Sequence, residues 1–293
     1  MYESFYGLSR KPFAMLPDPR FLYASRTHKI ALNLLEYGLA EQSGFVVLTG
    51  EVGTGKTTLM RHLLNLVEDE VVAGLVPPTY PSLDELLKWM LLAFDVDFQG
   101  KDRVEQQKAF VDFLIARYAE GKRCVLIVDE AQHLGPEALE QLRMFSNVNS
   151  GSDHLLQFIL VGQPELREIL QRPQLRQFVQ RITVHYDLEP LTREETASYI
   201  RHRLEVAGGR AEIFDAEGCA AVHYFAKGIP RLINALCDLA LVHGYADEHR
   251  RVTLDLVIEA AIARSQGGLG AFRAMPADLT REQVRARILH AKA

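Results

Sequence analysis

Gly50-Glu51-Val52-Gly53-Thr54-Gly55-Lys56-Thr57 is the stretch on which the fold turns. Phe45-Val46-Val47-Leu48-Thr49 precedes it and reads as a buried strand; Thr57-Thr58-Leu59-Met60-Arg61-His62-Leu63-Leu64 follows and reads as a helix. Strand, glycine loop and helix in that order aim several backbone N–H groups and a helix N-terminus at one point, which suits a polyphosphate. Glycines at 50, 53 and 55 let the backbone fold around the phosphate with no Cβ in the way. Lys56 brings a mobile positive charge to the phosphate oxygens, and Thr57 offers a hydroxyl to Mg²⁺. The octapeptide and Thr58 thus form a candidate site for ATP or GTP.

The second half of that site lies downstream. Cys124-Val125-Leu126-Ile127-Val128 is an apolar run of the kind found in parallel strands buried on both faces, and Asp129-Glu130 ends it. Asp129 is placed to hold Mg²⁺ with Thr57, and Glu130 to polarise an attacking water. Acids that merely cap the following helix are the weaker explanation, because a phosphate loop stands upstream.

The 293 residues suffice for one large domain or two smaller ones, and 48% apolar with 24% charged residues is ordinary for a soluble globular protein. A net charge of −5 supplies no global positive field for nucleic acid, although a local basic patch would serve. Cys124, Cys219 and Cys237 lie scattered in apolar patterns and read as reduced core residues, which suits a cytoplasmic location. The ten histidines show no metal-ligand spacing. No apolar run is long enough to span a bilayer, and Met1-Tyr2-Glu3-Ser4 does not begin a signal peptide.

Four regions are expected. Residues 1–26, rich in aromatic and turn-forming side chains, form an arm packed on the core. Residues 27–190 form an α/β domain, beginning with a helix over 27–42 for which Thr27 is the N-cap. Its strands are 45–49, 71–76, 124–128, 155–161 and 182–186, with helices over 82–94, 103–119 and from Pro136. Strands separated by helices predict a parallel five-stranded sheet covered on both faces. Residues 191–265 read as an all-helical lid, with helices over 192–206, 215–226, 229–247 and 253–265. Residues 266–293 form a basic tail, opened by the joint Gln266-Gly267-Gly268-Leu269-Gly270 and carrying one amphipathic helix over 280–290.

Three polar residues extend the site. Gln163 follows the strand 155–161 and is placed to hydrogen-bond the attacking water or the γ-phosphate. Arg181 ends a helix just before the fifth strand, where an arginine projects from the domain edge and in a ring reaches the neighbour's γ-phosphate. Arg176, on the same segment, competes for that role. Arg231, in Gly228-Ile229-Pro230-Arg231-Leu232-Ile233-Asn234, is fixed at a helix start by Pro230 and can turn back toward the nucleotide.

These motifs together resemble AAA+ ATPases of the ExeA, or general secretion pathway protein A, type. The resemblance is carried by Phe5-Tyr6-Gly7-Leu8, Pro12-Phe13, Pro17-Asp18-Pro19-Arg20-Phe21 and the phosphate loop. Further on it is carried by Val128-Asp129-Glu130-Ala131-Gln132, Val161-Gly162-Gln163-Pro164-Glu165-Leu166, Gln180-Arg181-Ile182, Tyr199-Ile200-Arg201-His202-Arg203-Leu204 and Gly228 to Asn234. It covers residues 1 to 265 and implies a P-loop AAA+ core with a C-terminal helical lid. It also implies Walker A roles for Lys56 and Thr57, Walker B roles for Asp129 and Glu130, and sensor 1 for Gln163. By the same resemblance Arg181 is the arginine finger and Arg231 sensor 2, with adenine between the arm near Phe21–Ser25 and the lid. Proteins of this type continue into a membrane helix and a periplasmic peptidoglycan-binding domain. The sequence to Ala293 has neither, so it reads as a shorter relative or a cytoplasmic portion.

The leading expectation is a Mg²⁺-dependent ATPase that assembles into a ring or helical homo-oligomer and helps build a secretion, pilus or exopolysaccharide export machine. Such a protein works in the cytoplasm or at the inner face of the inner membrane, which the basic tail would touch if it is not simply solvated. The alternative is an ATP-dependent, duplex-DNA-binding transposition regulator like TniB, TnsC or MuB. A third reading, a nucleotide-switched scaffold without catalysis, sits poorly with Glu130 and Arg181.

Overall fold

Five parallel strands make the main sheet: β1 (Phe45–Gly50), β2 (Val71–Val76), β3 (Arg123–Val128), β4 (Leu156–Val161) and β5 (Ile182–Leu188). Their order is β2-β3-β4-β1-β5, with every pair parallel. This computed structural model describes residues 1–16, 18–41, 44–67, 69–76, 85–150, 153–266, 272 and 280–290. The chain forms two units. One comprises Arg26–Glu51 and Lys56–Leu188; the other comprises Met1–Ser25, Val52–Gly55 and Glu189–Ala293.

In the α/β unit the strands β1, β3 and β4 are largely apolar on both faces because helices cover both. Successive side chains point to opposite sides of a strand. Phe45, Val47, Leu126, Val128, Phe158 and Leu160 therefore share one face with Leu86, Met90, Phe110, Leu114, Leu139 and Leu166 of the covering helices. Val46, Leu48, Val125, Ile127, Ile159 and Val161 share the other with Ala31, Leu35, Leu59, Met60 and Leu63. Phe45 pairs in register with Phe158, and their rings stack at 4.8 Å with an interplanar angle of 13°. Cross-strand aromatic pairs of this kind help fix register.

The helices of this unit include Arg26–Ala40, Lys56–Val67, Leu86–Ala93, Arg103–Ala119, Pro136–Phe145 and Glu165–Leu170. The helix 103–119 has the predicted bounds, and its start is fixed by the capping box that Asp102 and Glu105 close. Thr27 is not an N-cap: the helix already includes Arg26, so Thr27 lies in its first turn. A two-strand antiparallel pair, Asn149–Ser150 with Asp153–His154, was not expected from the sequence.

In the second unit, helices Arg193–Val206, Ala216–Ala226, Pro230–Ala246 and Leu254–Gln266 match the predicted helical region. The N-terminal arm was expected on the α/β core, but its aromatic residues belong to this unit. Tyr2, Tyr6, Phe13 and Phe21 lie in one apolar cluster with Tyr199, Phe214, Phe225, Leu236 and Val257. The reason is polar as well as apolar. Buried Arg203 donates from Nε to Pro12 O at 2.6 Å and from Nη1 to Tyr199 Oη at 2.8 Å, and its guanidinium lies 4.7 Å from the Phe21 ring centroid. Arg203→Ala should detach the arm and cost about 2–3 kcal/mol, because charge-assisted bonds in a buried setting are lost. Faster proteolysis within residues 1–25 and a lower melting temperature are the expected readouts.

The tail helix Arg281–His290 is docked and not merely solvated. Val284 and Ile288 are buried, and Arg285 pairs with Glu217 and Asp255 at 3.2 Å while Arg281 pairs with Glu259 at 3.2 Å. The predicted joint at 266–270 falls, beyond Gln266, outside the described residues. Among the described residues no helix is long and apolar enough to cross a membrane.

Candidate functional site

The sheet order creates the site. β1 lies between β4 and β5, so chain connections diverge to either side of it and leave a crevice at the strand C-termini. The turns after β3 and β4 both open there.

Lys56 begins the helix Lys56–Val67 and is 7% exposed. Its Nζ donates to Gly50 O at 2.7 Å and to Glu51 O at 3.0 Å. Burial lowers its pKa, while the charges of Glu130, Asp129, Glu51 and Asp187 oppose that shift. A buried ammonium held by carbonyls fits phosphate oxygens, which would satisfy it more strongly.

The Thr57 hydroxyl donates to Asp129 Oδ2 at 3.1 Å. A hydroxyl and a carboxylate side by side are hard oxygen donors that fit Mg²⁺, an ion usually held by one or two protein ligands plus substrate phosphates and water. Thr58 follows in the first turn of the same helix. Asp129 Oδ1 accepts the Glu130 N–H at 2.9 Å, which shapes the turn.

Glu130 adopts φ 52°, ψ 39°, a left-handed conformation that costs a non-glycine residue about 1–3 kcal/mol. Its Oε2 accepts from Gln163 Nε2 at 2.9 Å and from Gln132 Nε2 at 2.7 Å. Burial pushes the carboxyl pKa up. The two amides and the Lys56 charge outweigh burial and hold it below the ordinary value, so the group is a carboxylate at neutral pH.

In the other unit, the Arg231 N–H donates to Gly53 O at 3.2 Å. Gly53 has φ 86°, and a Cβ there would lie 2.6 Å from Arg231 Cβ, so only glycine fits this approach. Val52, Thr54 and Gly55 group with this unit as well. Arg181 is half-buried and donates from Nη1 to Ser146 Oγ at 2.7 Å. Arg176 is exposed at the start of the short helix Arg176–Val179.

Sequence reasoning missed two neighbours. Gln132 is one, although Asp129-Glu130-Ala131-Gln132 places it only two residues beyond Glu130. The other is the Thr49–Asp187 pair, in which the fully buried Thr49 hydroxyl donates to Asp187 Oδ1 at 2.8 Å, with His185 Nε2 3.2 Å away. Thr49 and Asp187 are register partners across β1 and β5. The signal was the polar alternation Thr183, His185, Asp187 in a strand otherwise apolar.

A family model described as an AAA domain matches residues 39–170. General secretion pathway protein A of Aeromonas hydrophila is 44% identical over 267 residues, which is 89% of this chain and 48% of that protein. The ATP-dependent target DNA activator B of Escherichia phage Mu is 28% identical over 131 residues, 45% of this chain and 40% of that one. This chain thus spans about half the length, or less, of these relatives. Among solved structures, the Aeropyrum pernix ORC2 protein in its ADP form matches with TM-score 0.65 at 19% identity, covering 95% of this chain and 83% of that one. At that identity the likeness bears on fold alone. Residues 39–170 thus carry an AAA domain built on the five-stranded parallel sheet, and the chain is similar to general secretion pathway protein A through 89% of its own length.

Proposed function

We propose that this protein hydrolyses ATP in a nucleotide-dependent homo-oligomer that supports assembly of a secretion, pilus or polysaccharide-export machine. The observation that carries the reading is the Glu130 carboxylate, held by two amides in the turn that also sets Asp129 beside Thr57. Lys56 binds the β- and γ-phosphate oxygens in place of the Gly50 and Glu51 carbonyls. Thr57 and Asp129 hold Mg²⁺, which when bound neutralises charge on the phosphates. Glu130 takes a proton from water as its oxygen attacks the γ-phosphorus; the bond to the β-phosphate oxygen breaks, and ADP and phosphate leave. Gln163 orients that water, Arg231 senses the nucleotide through the loop at Gly53, and Arg181 is offered to a neighbouring subunit. The assembly role is supported by the 44% identity to general secretion pathway protein A.

Phosphate release with ATP and Mg²⁺, measured together with particle size by light scattering, tests this reading. Turnover that rises as particles grow supports it, and ATP-bound monomers with no turnover at any concentration overturn it. Arg181→Ala should leave nucleotide affinity within about twofold yet lower turnover of the assembled protein by roughly 10³-fold, as arginine fingers do. Arg176→Ala should leave it near the parent value. The reverse pattern moves the role to Arg176.

A second reading is favoured by the match to the phage Mu DNA activator. Duplex DNA titrated into the ATP-bound protein at several salt concentrations separates the two. Tight binding that weakens steeply with salt, accompanied by filaments, favours the DNA reading; assemblies indifferent to DNA favour the first.

A further inference from the structure

The amide of Gln132 joins two strand ends. Gln132 lies in the single turn Ala131–His133 after β3, half-buried. Its Nε2 donates to Glu130 Oε2 at 2.7 Å, while its Oε1 accepts the backbone N–H of Gln163, after β4, at 3.1 Å. Gln163 Nε2 closes the loop onto the same Glu130 oxygen at 2.9 Å. A carboxylate cannot donate and a backbone N–H cannot accept, so only one orientation of the Gln132 amide satisfies both partners. Space for it is kept by Gly162, where a Cβ would lie 3.1 Å from Gln132 Oε1 and 2.8 Å from Leu166 Cδ2.

We infer that Gln132 is a positioning residue that locks the Glu130 carboxylate to the Gln163 turn and so fixes the direction from which the carboxylate meets water. This rests on the reading of Glu130 as the general base. The clamp acts on geometry, through Glu130 and the Gln163 backbone, and not on the phosphate-loop groups. Its removal should therefore lower kcat and spare KM, since small misplacements of a reacting group cost up to about 100-fold.

Gln132→Leu removes both bonds. Gln132→Glu keeps an acceptor for the Gln163 N–H but sets a second carboxylate against Glu130, and its near-identical shape guards against misfolding. Steady-state ATP hydrolysis, ATP affinity and melting temperature are measured for both variants, for Glu130→Gln, and for Glu130→Gln combined with Gln132→Leu. The expected result is a kcat lowered about 10–100-fold in Gln132→Leu and at least as far in Gln132→Glu. KM and affinity should stay within about twofold, and the double variant should be no slower than Glu130→Gln alone. Parent-like turnover in Gln132→Leu and Gln132→Glu, with Glu130→Gln inactive, overturns the clamp and leaves the general base standing. A raised KM at unchanged kcat, or a further equal loss in the double variant, also overturns it. Parent-like turnover in Glu130→Gln instead overturns the general-base reading itself.

Discussion

Lys56→Ala is expected to abolish measurable ATP binding while leaving the protein folded. The loss comes from the charge-assisted bonds that the ammonium would make to phosphate, each worth about 1.5–3 kcal/mol. Two such bonds correspond to roughly 3–6 kcal/mol, an affinity lower by at least ~100-fold. The fold should tolerate the change because Lys56 sits at a helix start, where alanine is a better helix former and the cation opposes the helix dipole. Calorimetric titration with ATP, with circular dichroism as the fold control, checks both halves. Affinity within about threefold of the parent would remove Lys56 from the site.

Glu130→Gln is expected to bind ATP normally and to lose turnover by about 10²–10⁴-fold, the usual contribution of a positioned general base. Glutamine matches glutamate in shape and still offers an oxygen to Gln132 and Gln163, so the turn after β3 should persist. The bound nucleotide then stays as ATP, and the assembled state should outlive that of the parent. Single-turnover hydrolysis and sedimentation in the presence of ATP read the two effects. Hydrolysis at the parent rate would show that another group takes the proton.

Local structure was legible in the sequence where one segment determined it. The phosphate loop, the acid pair after an apolar run, and the helix 103–119 with its capping box each depend on neighbours within a few residues. The strands β1, β3 and β4 could be read because burial on both faces makes them largely apolar, and β5 because its apolar residues alternate with polar ones. Strand order could not, since nothing in β1 or β5 alone says they adjoin. Gln132 was quoted only as part of a motif, because its importance lies in a bond to Gln163, 31 residues away. The arm was misplaced for the same reason. Phe13 and Phe21 announce burial, but the groove that receives them is built around Arg203, almost two hundred residues later. The tail helix looked solvated since four of its ten residues are Arg or His, and its docking stripe is short: buried Val284 and Ile288 with half-buried Leu289.

The arm has a bearing on how the protein is made. Residues 1–25 leave the ribosome early, yet the apolar cluster that takes Tyr2, Tyr6, Phe13 and Phe21 is built from residues 191–288. At a synthesis rate of about 5–20 residues per second, the arm waits roughly 10–50 s for its partner while the whole α/β unit emerges and can fold. During that interval four aromatic side chains stand in water, available to chaperones or to other nascent chains. The helical unit is in effect a clasp whose first half is forged at the start of translation and whose second half arrives at the end.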